Sequence, residues 1–582
     1  MDMSGQSNRV VAVRLRISAS RARAVISTAV IAFLTPLCAS GQGVVHLSTV
    51  QPGGFPGTPL LQGIQSVTNG VRITWDGPSG YYQVWEKSNS LSGAWVTVGG
   101  PTNLTLMATI TAMTSNAFFR VSGPAPNYAG SQVCISCHGT VHATWMLTPH
   151  AQAFTNATFM RAGGQTNASC VVCHTVGYGL PTGFISASQT PQLEGVQCES
   201  CHGPAANHAA NPTDFSVVPR VELAAQLCGG CHNAQLAPAK VVAHDPVAFA
   251  YQDWSVSPHS AVVPTVLSLM TSSSADISSC GRCHSGSARL ALLEGLNPSV
   301  TLTNDYDVPI TCAVCHDPHA QYVWTNELNG VITFTNSLTG VAVVITNDEL
   351  GAVYTNQLRA ALSSTNDFVL TTSDDFTNVY NPNINVCGQC HNDRGAAWTD
   401  TSMSPHHSPQ YNILLGTVGE LVSGPTPGYP STHSRLEMQC AACHMQTATN
   451  DISGHQFEVE TYQLCLNCHN NPAGLVELVT NNMAAQIQQT VSYLDLWATN
   501  AEPAGLQQYG TLAWEYTTPG DLSPSGAGPS SSDQALIPDN IKMARFDLYL
   551  VFYDGSYGVH NAPFDFQLLQ AAQTFIEDQL FQ

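Results

Sequence analysis

Apolar residues recur at helical spacing near the C-terminal end of the chain. Between Ala473 and Trp497 most of them fall three or four residues apart in an otherwise polar stretch, at Leu475, Leu478, Val479, Met483 and Ile487. Residues three and four apart share one face of a helix, so the pattern predicts an amphipathic helix over 473–497.

A second helix is predicted close to the C-terminus. Pro563 suits its first turn, where the missing N–H of proline is not needed. Its apolar face comprises Leu568, Leu569, Ala572, Phe575 and Ile576. A stretch rich in Pro, Gly and Ser covers about 518–533 and predicts a loop before this helix. We therefore assign 473–582 to a C-terminal helical segment.

Residues 41–125 alternate short apolar runs with turn residues, a pattern typical of strands. The runs cover 71–75, 81–85 and 94–98, and Phe118 and Phe119 form the last one. Gly-containing pairs such as Asp76-Gly77 separate them and predict turns. The pattern predicts a small β-sandwich that resembles fibronectin type III or immunoglobulin-like modules. Such modules are mostly spacers or docking surfaces.

Residues 320–386 form another stretch with strand character. A Thr-Asn pair recurs there roughly every ten residues, starting at 325, 335, 346, 355, 365 and 377. Between the pairs lie β-branched runs such as 341–345. The repeat predicts hairpins in a β-rich surface insertion. The role we suggest for the insertion is contact with a partner or a neighbouring subunit.

The N-terminus has the pattern of an export signal. Five arginines precede an apolar run from Ala24 to Leu37, and small residues follow it. No Arg-Arg pair is present, which favours the general secretory route. Cys38 would be the anchor of a lipoprotein, but Leu37 stands where lipoprotein signals have a small residue. We expect a signal peptide at 1–40 and a periplasmic or extracellular protein without a membrane span.

The mature chain is strongly acidic. Without residues 1–40 it has 13 basic and 38 acidic residues, a net charge of −25. This charge argues against nucleic acid as a partner, because phosphates attract basic surfaces. It favours redox partner proteins with a basic surface.

Nine Cys-x-x-Cys-His motifs occupy the middle of the chain and use eighteen of its nineteen cysteines. Two thiols at this spacing can each add to one vinyl group of a haem, and the next residue, His, then lies under the iron. We therefore expect nine covalent haem c groups. The attaching cysteines are Cys134, Cys137, Cys170, Cys173, Cys198, Cys201, Cys228, Cys231, Cys280, Cys283, Cys312, Cys315, Cys387, Cys390, Cys440, Cys443, Cys465 and Cys468.

Two other readings of the motif are weaker. Zinc sites usually combine two Cys pairs, or one pair with two spaced histidines, and need no His directly behind every pair. Redox dithiols usually occur once per domain. The span 131–470 offers about 38 residues per haem, too few to enclose each porphyrin in a layered core of side chains. The fold class expected for 126–472 is therefore a mostly α and irregular cytochrome c core in which the haems are the core.

The histidines supply both axial ligands of most irons in this hypothesis. The proximal ligands are His138, His174, His202, His232, His284, His316, His391, His444 and His469. A second His closes the iron and favours electron transfer over binding of small molecules. The expected distal ligands are His150, His208, His244, His259, His319, His406, His433, His455 and His560. His142 and His407 are spares, and the choice between His406 and His407 stays open.

Several segments resemble the multihaem cytochromes c of the nitrogen and sulfur cycles. They are Gly195–Pro204 followed by His208, Ile310–His319, Asp554–Asn561 and the two Trp-x-x-x-Pro-His segments that end at His150 and His259. That group includes tetrahaem electron carriers, pentahaem nitrite reductases, hydroxylamine oxidoreductase and octahaem tetrathionate reductase. The resemblance covers 126–582 without the insertion. It implies closely packed haem pairs forming an electron wire, with His560 as a distal ligand.

The chain departs from that group in its N-terminal module, in its nine motifs and in its lysines. The nitrite and tetrathionate reductases resemble each other in using Lys as proximal ligand of the catalytic haem. Here Lys87, Lys240 and Lys542 are the only lysines, and none follows a Cys-x-x-Cys pair. A Lys-ligated active haem is therefore not expected.

Three functional hypotheses follow. The favoured one is a non-catalytic nonahaem electron carrier, mostly bis-His, in anaerobic or nitrogen/sulfur respiration, with donor and acceptor proteins that the sequence does not name. The second is an oxidoreductase that acts on nitrite, hydroxylamine or tetrathionate at one five-coordinate haem. In the third, the β-module and the insertion attach the cytochrome to a surface or to its own copies as a homo-oligomer. The chain has enough histidines to give every iron a second axial ligand, and this favours the electron-carrier hypothesis.

Overall fold

The computed structural model describes residues 126–581 and the strands between 44 and 122. Within 126–581 it leaves out 220–222, 234–249, 302–306, 326–330, 336–341, 347–352, 360–385, 426–427, 437–438 and 447–453. His244 and the N-terminal 43 residues lie outside the described residues, and so does the predicted signal peptide at 1–40.

Strands form at the four predicted apolar runs of the N-terminal region, and four further described strands form where no run was predicted. In chain order the described strands are β1 (Val44–His46), β2 (Leu60–Val67), β3 (Gly70–Asp76), β4 (Tyr81–Ser88), β5 (Val96–Thr97), β6 (Thr102–Asn103), β7 (Met107–Thr111) and β8 (Ala117–Ser122). One antiparallel sheet has the order β1-β2-β3-β7, and in the other β4 pairs with β5, β6 and β8. Ile73, Trp75 and Val84 are buried. Stacking of the two sheets as a sandwich stays a prediction.

The 320–386 insertion contains two nested antiparallel strand pairs. Its strands are β9 (Tyr322–Thr325), β10 (Val331–Thr335), β11 (Ala342–Thr346) and β12 (Val353–Asn356). Val331 lies opposite Thr346 in the inner pair, and Tyr322 lies opposite Asn356 in the outer pair. Strands therefore form at the first four Thr-Asn repeats, as predicted, whereas the pairs at 365 and 377 lie outside the described residues.

Between 126 and 472 the described helices are short. They are α1 (Ile135–Trp145), α2 (Ala157–Arg161), α3 (Ala168–His174), α4 (Cys198–His202), α5 (Ala206–Ala210), α6 (Ala225–Gly229), α7 (Ala250–Val256), α8 (Pro264–Ser272), α9 (Ser274–Ser279), α10 (Gly281–His284), α11 (Gly286–Leu293), α12 (Pro298–Thr301), α13 (Cys312–Cys315), α14 (Gln410–Leu415) and α15 (Cys440–His444). Short 3-10 helices cover 131–134, 164–166, 191–193, 215–217, 258–260, 432–435 and 464–467, and β13 (Glu420–Leu421) pairs with β14 (Gly424–Pro425). The mostly helical and irregular fold class is confirmed for this region.

Three long helices form the C-terminal segment. They are α16 (Pro472–Asn500), α17 (Asp539–Asp554) and α18 (Ala562–Leu580), and 3-10 helices cover 507–514 and 533–536. The two predicted helices are confirmed, and α18 has Pro563 in its first turn. Helix α17 was not predicted. Its residues from Ile541 to Tyr553 are mostly buried, the charged Arg545 and Asp547 included, so it has no exposed polar face to set a periodic pattern.

The largest apolar core of the described residues lies among these three helices. Met483 and Trp497 from α16, Tyr549 from α17, and Phe564 and Leu568 from α18 are each at most 1% exposed. Burial of side chains of this size makes the hydrophobic effect the main stabilising term of the segment. No described helix combines the length and apolar character needed to cross a bilayer.

Candidate haem sites

Each motif brings its His one helical turn beyond its first Cys. The backbone N–H of the motif His donates to the carbonyl of the first Cys at 2.8–3.1 Å in the Cys228, Cys280, Cys312, Cys387 and Cys465 motifs. This bond is the i to i−4 bond of an α-helix, so it brings the His onto the same face as the first Cys. Two thiols and an imidazole thus converge on one side of the chain.

Residues inside the motifs also connect them to the rest of the protein. The Glu199 carboxylate accepts hydrogen bonds from the backbone N–H groups of Ala129, Gly130 and Ala205 at 2.7–3.1 Å. Burial raises the pKa of Glu199, and these hydrogen bonds oppose the shift. Gln389 accepts a hydrogen bond from the buried Arg289 guanidinium, which joins two motif regions. Sequence reasoning gave these intervening positions no role.

Seven motif histidines each face a histidine from another part of the chain. The ring centres of each pair lie 5.9–6.4 Å apart. The pairs are His202 with His319, His232 with His150, His284 with His406, His316 with His455, His391 with His259, His444 with His560, and His469 with His433.

This separation fits two imidazoles bound to one iron. A metal–nitrogen bond is about 2 Å, so two ring nitrogens on opposite sides of one iron place their ring centres about 6 Å apart. Rings in direct contact lie closer, as His406 and His407 do at 4.7 Å. The residues present therefore fit haem with two axial histidines at seven motifs.

The pairs show which of the expected distal ligands face a motif His and which do not. Seven of them face a motif His, whereas His208 lies on the short helix α5 and His244 lies outside the described residues. His406 faces His284 at 6.0 Å, and His407 lies against His406 and Tyr553 instead. The geometry thus favours His406 over His407, and ligation itself stays a prediction.

The first two motifs differ from the other seven. His138 is exposed and interrupts the helical backbone of α1, and His174 stacks on Phe159 with ring centres 4.1 Å apart. In the same part of the chain, His142 Nε2 and His208 Nδ1 are buried without a hydrogen-bond partner. A buried imidazole nitrogen without a partner lowers the stability of the fold unless a metal or a water molecule binds it. His142, a spare in the sequence analysis, is therefore a ligand candidate equal to His208.

Backbone carbonyls orient several of the candidate ligand histidines. Nδ1 of His174, His433 and His444 donates to the carbonyls of Ala153, Val559 and Phe457 at 2.8, 2.8 and 3.1 Å. His406 Nδ1 lies 2.8 Å from Ser408 Oγ, which itself donates to a backbone carbonyl. When Nδ1 carries the proton, Nε2 is left as the metal-binding atom.

A carboxylate, rather than a carbonyl or a hydroxyl, lies behind the ring of His560. Its Nδ1 lies 2.7 Å from Asp554 Oδ1, and the Asp554 side chain is fully buried. Burial by itself lowers the pKa of His560, but the Asp554 charge and its hydrogen bond outweigh this, so the net shift is upward. A buried carboxylate behind a ligand His raises the basicity of that ligand.

Burial acts on four other candidate ligand histidines without such a counter-charge. It lowers the pKa of His150, His259 and His316 to about 4 and that of His406 to about 3, with neighbouring positive charges adding to the effect. These rings are therefore neutral near pH 7. Neutral imidazole is the form that binds a metal.

A cavity of about 1930 Å³ runs past the last six motifs. Single-ligand pockets are typically about 300–1,000 Å³, so this one is large enough for several bulky groups. Cysteines and histidines of the Cys228, Cys280, Cys312, Cys387, Cys440 and Cys465 motifs line it. Apolar side chains such as Leu414 and Val479 complete the walls, which suits the apolar faces of a porphyrin.

Thiols from different motifs also contact one another. Cys134 lies beside Cys198, Cys228 beside Cys312, Cys283 beside Cys390, and Cys387 beside Cys440. Each contact joins motifs that start 53–107 residues apart along the chain and so brings two attachment sites side by side. The fold therefore orders the motifs in space differently from their order in sequence.

Part of the chain is similar to known cytochromes c. Residues 133–203 match the family model of cytochrome c554 and c-prime. Cytochrome c-554 of Nitrosomonas europaea is 33% identical over 113 residues, which is 17% of this chain and 47% of that protein. The chain thus matches about half the length of this relative. With its repeated Cys-x-x-Cys-His motifs, the chain is a multihaem c-type cytochrome.

Solved structures of multihaem cytochromes are similar in part. The outer cell wall cytochrome OcwA has a TM-score of 0.44 and 18% identity, covering 77% of this chain and 99% of that one. The undecahaem cytochrome from the S-layer of Carboxydothermus ferrireducens has a TM-score of 0.45 and 18% identity, covering 78% and 70%.

Proposed function

We propose that this chain transfers electrons through nine covalently bound haem c groups, most of them held between two histidines, in anaerobic or nitrogen/sulfur respiration. The observation that carries the proposal is the set of seven His–His pairs with ring centres 5.9–6.4 Å apart. Haem held by two histidines supplies one-electron transfer and leaves no position open on the iron.

The protein's own residues support this role in two ways. Buried, neutral imidazoles such as His150 and His316 keep both axial nitrogens available to the iron. Carbonyl partners such as Val559 and Phe457 fix the orientation of His433 and His444, so little rearrangement accompanies a change of charge at the iron. Both features suit repeated electron transfer better than substrate binding.

We place the protein outside the cytoplasm, in the periplasm or at the cell exterior, after removal of residues 1–40. The arginines followed by an apolar run support this location. The net charge of −25 on the remaining chain favours basic redox partners and disfavours nucleic acid. Assembly into homo-oligomers through the β-module or the insertion is a separate part of the hypothesis.

Mass and spectroscopy test the central proposal. The intact mass of mature protein should exceed that of the polypeptide from Gly41 onward by nine haems, and Cys312→Ala with Cys315→Ala should lose one. The electron paramagnetic resonance spectrum of the oxidised protein should be low-spin. The reduced protein should bind little carbon monoxide, and turnover of nitrite or hydroxylamine should be negligible. Protein that passes through its haem-attachment machinery and carries zinc but no haem would contradict the proposal.

The exposed His138 favours a second candidate function. Among the described residues it faces no other histidine at the 6 Å separation of the seven pairs, and its haem would have an open position if none of His142, His208 and His244 binds that iron. An open haem could reduce or oxidise a small nitrogen or sulfur compound. A high-spin signal that disappears in Cys134→Ala with Cys137→Ala, together with fast turnover of nitrite or hydroxylamine, would establish this function instead.

A further inference from the structure

Phe457 contacts histidines of three different pairs. Its ring centre lies 4.5 Å from that of His259, with the two rings perpendicular. Its carbonyl accepts a hydrogen bond from His444 Nδ1 at 3.1 Å. Its ring centre also lies 6.0 Å from that of His455, two residues earlier in the chain.

These three histidines belong to three separate sites. His259 faces His391 of the Cys387 motif, His444 of the Cys440 motif faces His560, and His455 faces His316 of the Cys312 motif. Phe457 therefore lies where the attachment sites of the Cys312, Cys387 and Cys440 motifs meet.

The neighbouring structure supports one contiguous group of sites. The thiols of Cys387 and Cys440 lie beside each other. Phe457 lines the same cavity as the cysteines of all three motifs. Phe457 thus lies within the group rather than at its edge.

The backbone at Phe457 is held in a conformation that ordinary residues avoid. Its φ is +62°, and its N–H donates to the Gly454 carbonyl in a turn at 3.2 Å. A side chain on Gly454 would place its Cβ 2.4 Å from the Met445 backbone, so this turn packs directly against the end of the Cys440 motif. A non-glycine residue at positive φ persists only where the surrounding packing determines it, and such residues cluster at functional sites.

We propose that Phe457 is a positioning residue shared by three haem sites. Its ring fixes the imidazole of His259, its carbonyl fixes that of His444, and its turn fixes the segment that carries His455. The inference rests on the proposed function, because it takes these histidines as axial ligands.

Different substitutions at Phe457 distinguish the role of its ring from the role of its backbone. Phe457→Leu removes the ring and keeps an apolar side chain, so the low-spin signal of the Cys387 haem should shift in g value while that of the Cys440 haem stays. Phe457→Pro cannot adopt φ of +62° and loses the turn hydrogen bond, so the signals of all three haems should shift. Phe457→Tyr keeps ring and backbone and should match the unchanged protein.

Signals are assigned with variants that lack one pair of motif cysteines, and mass spectrometry checks that each Phe457 variant keeps its full haem content. Phe184 is the matched control, since it is a buried phenylalanine that packs against Phe154 and Tyr178. Phe184→Leu should leave the three signals in place.

Three results would overturn the role of Phe457. They are unchanged spectra in Phe457→Leu at full haem content, shifts of the same signals in Phe184→Leu, and a Phe457→Tyr protein as altered as Phe457→Leu. Absence of bis-His low-spin signals from the unsubstituted protein would instead refute the proposed function, so the two failures are distinguishable.

Discussion

The motif region at 126–472 and the C-terminal segment at 473–582 enclose apolar space in different ways. The C-terminal helices have 16–29 residues and pack their side chains into a dense core. The described helices of the motif region have 4–11 residues and surround a large cavity lined by thiols and imidazoles. The comparison indicates that one region stabilises itself and the other depends on the groups it binds.

The two regions also meet at one site. His560, at the turn between α17 and α18, faces His444 of the Cys440 motif, and Asp554 at the end of α17 holds its Nδ1. Asn561 donates from its side chain to the Ile413 and Tyr429 carbonyls of the motif region. The self-stabilised segment therefore provides a fixed support for one candidate ligand.

Removal of haem should produce the largest effect. Protein made without haem attachment should lose protease resistance across 126–472 and keep it in α16, α17 and α18, because only the latter have a core of side chains. Limited proteolysis with mass mapping measures this difference. Equal resistance in both regions would show that the motif region does not depend on haem.

A cavity in the C-terminal core should have the next largest effect, a loss in the free energy of unfolding. Phe564 is 0% exposed, so Phe564→Ala should lower the free energy of unfolding by about 3–5 kcal/mol. Haem content should not change, since Phe564 is not a ligand candidate. Phe581, 83% exposed, provides the control, and Phe581→Ala should stay within about 0.5 kcal/mol of the unsubstituted protein in denaturant unfolding. A smaller loss at Phe564 than at Phe581 would contradict this core.

Substitution of one adjacent histidine should change a single haem. His406→Ala should convert one haem to a high-spin, carbon monoxide-binding form, because His406 faces His284. His407→Ala should leave the low-spin spectrum intact, because His407 lies against His406 and Tyr553. Electron paramagnetic resonance of both variants shows whether His406 or His407 is the axial ligand. A high-spin signal in the His407 variant alone would reverse the assignment.

Asp554→Asn should have the smallest effect, a change in one reduction potential. The neutral amide no longer enhances electron donation by His560, so the potential of the Cys440 haem should rise. Ser408→Ala removes a neutral partner of His406 and should shift its haem less. Potentiometric titration followed by spectroscopy measures both shifts. An equal or larger shift in the Ser408 variant would remove the special role of the carboxylate.

Part of the candidate site could be predicted from sequence because its chemistry is local. The two thiols and the proximal imidazole of each motif lie within five residues, and one helical turn brings them together. Helices over 472–500 and 562–580 were also predictable, since their polar faces mark a period. Helix 539–554 was not, because it is buried on nearly every side.

The sequence by itself determined the number and spacing of the attachment motifs, and hence the class of the protein. Only the tertiary structure decided which histidine faces which motif, that His406 rather than His407 faces His284, and that Phe457 lies among three sites. The reason is physical. Covalent attachment needs only neighbours in the chain, whereas a second axial ligand comes from a segment that folding brings within about 6 Å.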